Sequence, residues 1–394
     1  MEKTWRWFGK KDKITLAMLR QIGVEGIVTA LHDIPNGEVW TLEAILDMKK
    51  YIEDAGLRWS VVESLPVSET IKYGGENTDQ PIANYIESLA NLGKAGITTV
   101  CYNFMPVIDW IRTDLMYPWA DGTSSLYFDK IRFAYFDCMI LKREGAEKDY
   151  IQKELDKIHA LDKTITEAEK DRLIDTIIVK TQGFINGNIR EGDKNPISIF
   201  KNLLALYDGI DRDKLRENLR YFLEQIMPVC EEYSINMCIH PDDPPYQMLG
   251  LPRIVTSGED IDWILNAVDN PYNGLTFCAG SLSSGIHNDV PELARRFASR
   301  TRFVHLRSTD VLSDGNFIEA PHLEGRGHLI ELVRIFEKEN PSLPMRVDHG
   351  RLMLDDPDKD YNPGYSFYGR MYALAQMDGV IGTVKDELKH NISI

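Results

Sequence analysis

The feature that most constrains this chain is a repeated alternation. Short, continuous apolar runs are each followed by a stripe of apolar residues at helical spacing. Eight such runs can be read: Thr4–Phe8, Val24–Leu31, Arg58–Val62, Ile97–Tyr102, Asn236–His240, Gly274–Cys278, Arg302–Leu306 and Met345–Asp348. Between them lie helix patterns over about 41–55, 81–95, 214–233, 260–268, 290–299 and 328–339, with a last one over about 365–377. A first, shorter stripe at Leu16, Leu19 and Ile22 ends at Gly23, and Thr41 is placed to cap the helix after the second run. Runs without polar alternation belong to strands buried on both faces, which means a parallel sheet covered by helices. Eight strand-helix units in order predict an α/β fold, a closed (β/α)8 TIM barrel. An open doubly wound sheet would call for a glycine-rich phosphate turn after the first strand, and none is present.

The alternation breaks once, between Phe104 and Asp213. Much of this stretch is charged and helical in pattern. Thr166 and Glu169 have capping-box spacing, and Leu173, Ile174, Ile177 and Ile178 form the stripe behind them. We read 104–213 as a helical insertion after strand four, within a single barrel domain spanning 1–394.

Composition removes several function classes. A formal charge of −16 with no lysine and arginine track speaks against nucleic acid. No apolar run approaches the roughly 18 residues of a membrane span. The polar, aromatic start Met1–Phe8 lacks a signal-peptide core, so a cytoplasmic location is expected. Five cysteines at irregular spacing do not make a disulfide framework, which leaves one of them free to be a metal ligand.

A barrel of this kind carries its chemistry at the C-terminal ends of its strands. Four consecutive predicted strands finish in a residue able to bind a metal: His240, Cys278, His305 and Asp348. Two imidazoles, a thiolate and a carboxylate suit a divalent transition metal, and the thiolate favours Zn, Fe or Co over Mn. Glu63 follows strand three and Asn103 follows strand four, with Trp110 and Arg112 beyond it. Arg307 follows strand seven, and Arg346 shares the side of strand eight that Asp348 occupies. Arginine grips carboxylates through two parallel bonds, so Arg307 and Arg346 are candidate substrate contacts, together with Asn103 and Glu63. His349, beside a candidate ligand, and Tyr365, just past the turn Asn362-Pro363-Gly364, are the candidates for proton transfer. His32 could stand behind the site, while His322 and His328 are left out of the catalytic set.

Several stretches resemble one family. Thr4-Trp5-Arg6-Trp7-Phe8-Gly9, Val28-Thr29-Ala30-Leu31-His32, Cys101-Tyr102-Asn103-Phe104-Met105-Pro106, Ile239-His240-Pro241-Asp242-Asp243-Pro244-Pro245, His305-Leu306-Arg307-Ser308 and Asp348-His349-Gly350 together resemble mannonate dehydratase of hexuronate catabolism. The resemblance runs over essentially the whole chain. It implies a xylose-isomerase-like TIM barrel and loss of water from D-mannonate to give 2-keto-3-deoxy-D-gluconate. It also implies a divalent metal, usually Mn²⁺, with Fe²⁺ or Co²⁺ as alternatives. Its ligands would be His240, Cys278, His305 and Asp348, and its catalytic pair His349 and Tyr365, beside Asp348. Val347 stands where relatives commonly carry Pro, and Ser68 where His is common.

The partner expected is a small sugar acid, with no nucleic acid and no membrane, and a homo-oligomer, dimer or larger, is the expected assembly. Three other readings stay open at this point. A sugar isomerase or epimerase would use the same barrel and metal. A metal-dependent nuclease would need the missing basic track. A sugar- or metal-binding barrel would bind without turnover.

Overall fold

The structure, a computed structural model, describes residues 1–182, 189, 192–312 and 314–390. Eight parallel strands close into a barrel. In chain order the strands are β1 (Glu2–Arg6), β2 (Gly26–Thr29), β3 (Arg58–Glu63), β4 (Thr99–Tyr102), β5 (Asp114–Pro118), β6 (Ser124–Phe128), β7 (Asn236–Ile239), β8 (Asn273–Cys278), β9 (Thr301–Leu306), β10 (Ser308–Val311), β11 (Phe317–Ala320) and β12 (Pro344–Val347). The barrel runs β1-β12-β9-β8-β7-β4-β3-β2, closing on β1. Its eight strands are those read from the apolar runs, with ends shifted by a few residues. The first shift matters: β1 stops at Arg6, not Phe8.

Local signals explain the elements. The Thr41 hydroxyl accepts the Ala44 N–H at 3.3 Å and so caps the helix Leu42–Asp54. Gly56 and Gly96 sit at φ +75° and +74°, the left-handed turns that let the chain leave a helix and enter the next strand. All six residues of β8 are buried, as a strand covered on both faces requires. Val28, Val61, Cys101 and Phe303 form a small apolar cluster of their own, while the larger core packs the strands against the surrounding helices.

The segment between β4 and β7 is not wholly helical, contrary to expectation. It carries β5 and β6, which join the hairpin β10–β11 in a four-stranded antiparallel sheet ordered β10-β11-β6-β5. The sequence hid this because the β5 residues are mostly exposed, and β6, the strand just after it with which β5 pairs, is anchored in turn by β11 far along the chain. The capping box at Thr166 and Glu169 is present, while part of the insertion, 183–188 and 190–191, lies outside the described residues. The last helix spans Tyr368–His390, so Tyr365 lies in the loop before it rather than at its start. No helix among the described residues is long and apolar enough to cross a membrane.

Candidate active site

Strand register builds the site. Cys278 pairs with His305, and His305 with Arg346, across β8, β9 and β12. Neighbours in a parallel ladder sit at one height on the barrel, so these three ends meet. His240, one residue past β7, is tied down by its N–H to the Tyr102 carbonyl at 2.8 Å. The result is one cluster: ligand atoms of His240, Cys278 and His305 all lie within 4.8 Å of one another.

The donor chemistry fits a metal. His240 Nδ1 lies 2.7 Å from the Pro241 carbonyl, which can only accept, so Nδ1 carries the proton and Nε2 is left with its lone pair. That Nε2 faces His305 Nδ1 at 3.2 Å. The Ser281 hydroxyl donates toward Cys278 Sγ at 3.1 Å. Asp348 borders the cluster without joining it as tightly, its Oδ2 being 3.9 Å from Cys278 Sγ and 4.0 Å from His305 Nδ1. Burial alone would raise the Asp348 pKa, but Arg346, His349 and Arg307 around it hold it well below the usual carboxylate range.

Around the cluster lies a dense set of charges. Arg346 grips Glu63 through two bonds, 3.0 and 2.9 Å, and also bonds Asp348. Burial works against ionisation of Glu63, yet Arg346, His305 and Arg6 keep its pKa far below normal. Arg307 donates to Asp243 at 2.6 Å and lies 3.1 Å from Asp348. Arg112 bridges Asp243 at 2.8 Å and Glu319 at 2.6 Å. The Glu319 carboxylate lies 2.8 Å from His349 Nδ1, and Arg307 approaches the same nitrogen at 2.8 Å. The ring of His349 is further held by Trp110, centroid to centroid 4.9 Å, and by Tyr365 at 5.2 Å, edge-on. Burial pushes the Tyr365 phenol up, Asp348 and Glu63 add to this, and Arg346 opposes it, so Tyr365 is held protonated.

The chain matches the family model described as D-mannonate dehydratase (UxuA) over residues 1–391. The chain belongs to this family. It is 45% identical to the mannonate dehydratase of Chromohalobacter salexigens, covering 98% of this chain and 99% of that one. It is 47% identical to that of a Marinomonas species, covering 96% and 98%. The crystal structure of mannonate dehydratase from Streptococcus suis serotype 2 superposes with a TM-score of 0.79 at 34% identity, over 98% of this chain and 96% of that one. A D-tagatose 3-epimerase-like protein matches at a TM-score of 0.51 and 9% identity, over 98% of this chain and 100% of that one, a likeness of fold alone.

Within this dehydratase frame, the residues singled out from sequence gather in one place. His240, Glu63, Asn103, Arg307, Arg346, Asp348, His349 and Tyr365 line a single cavity at the mouth of the barrel. Cys278 and His305 lie buried at its base. His32 does not reach the cavity: it lies exposed at the surface with one side packed on Phe8, ring centroids 5.8 Å apart, and desolvation on that side followed by Arg6 lowers its pKa to about 3. His322, set aside from sequence, is buried behind the site, where desolvation brings its pKa to about 4.

Sequence reading missed Arg6, Asp109, Asp243 and Glu319. Arg6 ends β1, and the strand-end criterion would have found it had that strand been ended two residues earlier. Asp243 sat in the His-Pro-Asp-Asp motif without a role. Glu319 comes from a hairpin outside the barrel and Asp109 from the loop after β4, where no strand-end signal exists.

Proposed function

We propose that the chain removes water from D-mannonate to give 2-keto-3-deoxy-D-gluconate, with a divalent metal held by His240, Cys278, His305 and Asp348. The observation that carries this reading is the convergence of two imidazoles and a thiol at the mouth of a barrel that belongs to this family. The metal would supply positive charge beside the substrate carboxylate, where negative charge builds as the neighbouring C–H bond breaks. We choose Mn²⁺, with Fe²⁺ and Co²⁺ as alternatives that a thiolate-bearing site accommodates.

His349 and Tyr365 are the acid/base pair of this proposal. Glu319, Arg307 and Trp110 fix the His349 ring, so that its remaining edge is presented to the cavity in one orientation. A phenol kept protonated by burial suits Tyr365 to giving a proton to the departing hydroxyl, which leaves proton abstraction to His349. Asn103, which donates to Asp109 at 2.7 Å, supplies polar groups for the hydroxyl chain, and Glu63 and Arg346 shape the wall beside Asp348. The substrate enters as a small free sugar acid, and we expect the chain, one domain over 1–394, to assemble as a homo-oligomer in the cytoplasm.

The test is direct. Protein stripped of metal and reloaded with Mn²⁺ is incubated with D-mannonate and assayed for the 2-keto-3-deoxy acid. Metal-dependent product is expected. No product from a folded sample with Mn²⁺, Fe²⁺, Co²⁺ or Zn²⁺ would overturn the reading and bring a sugar isomerase forward.

A further inference from the structure

Four arginines stand around the cavity, and three of them each hold two carboxylates. Arg346 holds Glu63 and Asp348, Arg307 holds Asp243 and Asp348, and Arg112 holds Asp243 and Glu319. Arg6 differs. It is only 8% exposed, yet its Nε and Nη1 have no hydrogen-bond partner among the described residues. Its nearest carboxylate oxygen, on Glu63, is 3.8 Å from Nη1, and both oxygens of Glu63 already accept from Arg346. Arg307 also has an unpartnered Nε. That atom lies so close to Gly280 that any side chain there would collide with it, so it faces protein. Arg6 instead borders the cavity shared by His240, Asp348, His349 and Tyr365.

The backbone of Arg6 is fixed. Arg6 pairs with Val28 in the barrel, and its carbonyl accepts from Arg370 Nη1 at 3.1 Å. The Phe8 ring lies 5.2 Å from the guanidinium carbon and packs edge-on against Tyr365, centroids 4.9 Å apart. A rigid, buried cation with idle donors is costly unless a ligand completes it. Hydroxyls could accept its hydrogen bonds but would add no charge to oppose a guanidinium whose one carboxylate contact, Glu63, is shared with Arg346. A carboxylate meets both needs, because its two oxygens match the guanidinium fork.

We propose that Arg6 binds the carboxylate of the sugar acid and so sets which end of the substrate faces β1. Arg346 and Arg307, the arginines favoured from sequence for this contact, instead position protein carboxylates. The inference rests on the proposed function, since it takes the ligand to be the acid of that reaction.

The test compares a charged ligand with its neutral twin. A 3-deoxyhexonate has no hydroxyl to lose, and its amide has no charge. Calorimetry on the Mn²⁺-loaded protein measures both. The wild type should bind the acid about 100-fold more tightly than the amide, as a buried charge pair implies. Arg6→Met should abolish most of that preference with Mn²⁺ content unchanged, and Arg6→Lys should restore part of it. Should Arg6→Met fail to fold, Arg6→Gln keeps the hydrogen bonds without the charge and reads out the same preference. A folded, metal-loaded Met or Gln variant that keeps the preference overturns the proposal, as does a wild type that binds acid and amide alike. D-mannonate turnover by the wild type is measured alongside. Its absence defeats the reaction while the acid-amide comparison still reports on Arg6. Its presence, with the preference intact in the variant, defeats Arg6 alone.

Discussion

Two regions of the site touch and are built on opposite principles. The donor cluster of His240, Cys278 and His305 brings the two imidazoles within 3.2 Å of each other and leaves His305 Nε2 with no hydrogen-bond partner among the described residues. Beside it, Arg112, Asp243, Arg307 and Glu319 form a closed lattice in which each charge meets its opposite at 2.6 to 3.6 Å. The cluster is arranged to receive something and the lattice to stay as it is. The difference shows how a buried polar site divides its work, with one part left incomplete for a ligand and another completed to hold that part in place.

The largest expected effect falls on the lattice. Asp243 accepts from both Arg112 and Arg307, and burial is overcome by these two guanidiniums to hold its pKa far below normal. Asp243→Ala should destabilise the metal-free protein by about 3–5 kcal/mol, the cost of leaving buried cations short of a partner. Thermal or urea unfolding of the metal-free protein measures it. A loss under 1 kcal/mol would break the comparison, because the lattice would then hold nothing in place.

Cys278→Ser should show the opposite signature. Metal affinity should fall by at least about 100-fold, since a ligand matters no less than the groups behind it. Metal-free stability should barely move, because the Ser281 hydroxyl can still reach the smaller side chain. Titration with Mn²⁺ and unfolding without it separate the two effects. If Cys278→Ser and Asp243→Ala destabilise the metal-free protein equally, the cluster is structural and the contrast disappears.

The smallest effect lies outside both regions. The His32 pKa is lowered in the fold from about 6.5 to about 3, by desolvation against Phe8 and then by Arg6, although the side chain stays partly open to solvent. A depressed folded pKa gives stability that is complete above the unfolded value and is lost as pH falls through 6.5 toward 3. Because the His32 side chain is still exposed to solvent, screening should hold the loss at pH 5 under about 1 kcal/mol, and His32→Asn should flatten that slope. Unfolding measured between pH 7 and 5 checks it. An unchanged slope in the variant would move the acid sensitivity back toward the site itself.

Much of this was legible in the chain. The barrel could be read because each strand is a local pattern, and a run such as Gly274–Cys278 announces burial on both faces without reference to its neighbours. The donor cluster could be read because strand ends in one barrel must converge. The error at β1 was small and had a large consequence, for two residues of overrun hid Arg6 behind Phe8. The β5–β6 pair in the insertion was illegible, since its exposed strand gains its identity from pairing with β6, and β6 in turn pairs with β11.

The sequence by itself determined the order of strands and helices and the layer of side chains at the barrel mouth. Periodicity and register are properties of neighbouring residues, which is why Cys278 and His305 could be placed from the chain alone. Only the tertiary structure decided which arginine is engaged and which is idle. Arg112 and Glu319 meet across 207 residues, and Arg346 reaches Glu63 across 283. Whether a guanidinium is satisfied depends on every acceptor the fold brings near it, and that sum over distant segments has no local trace.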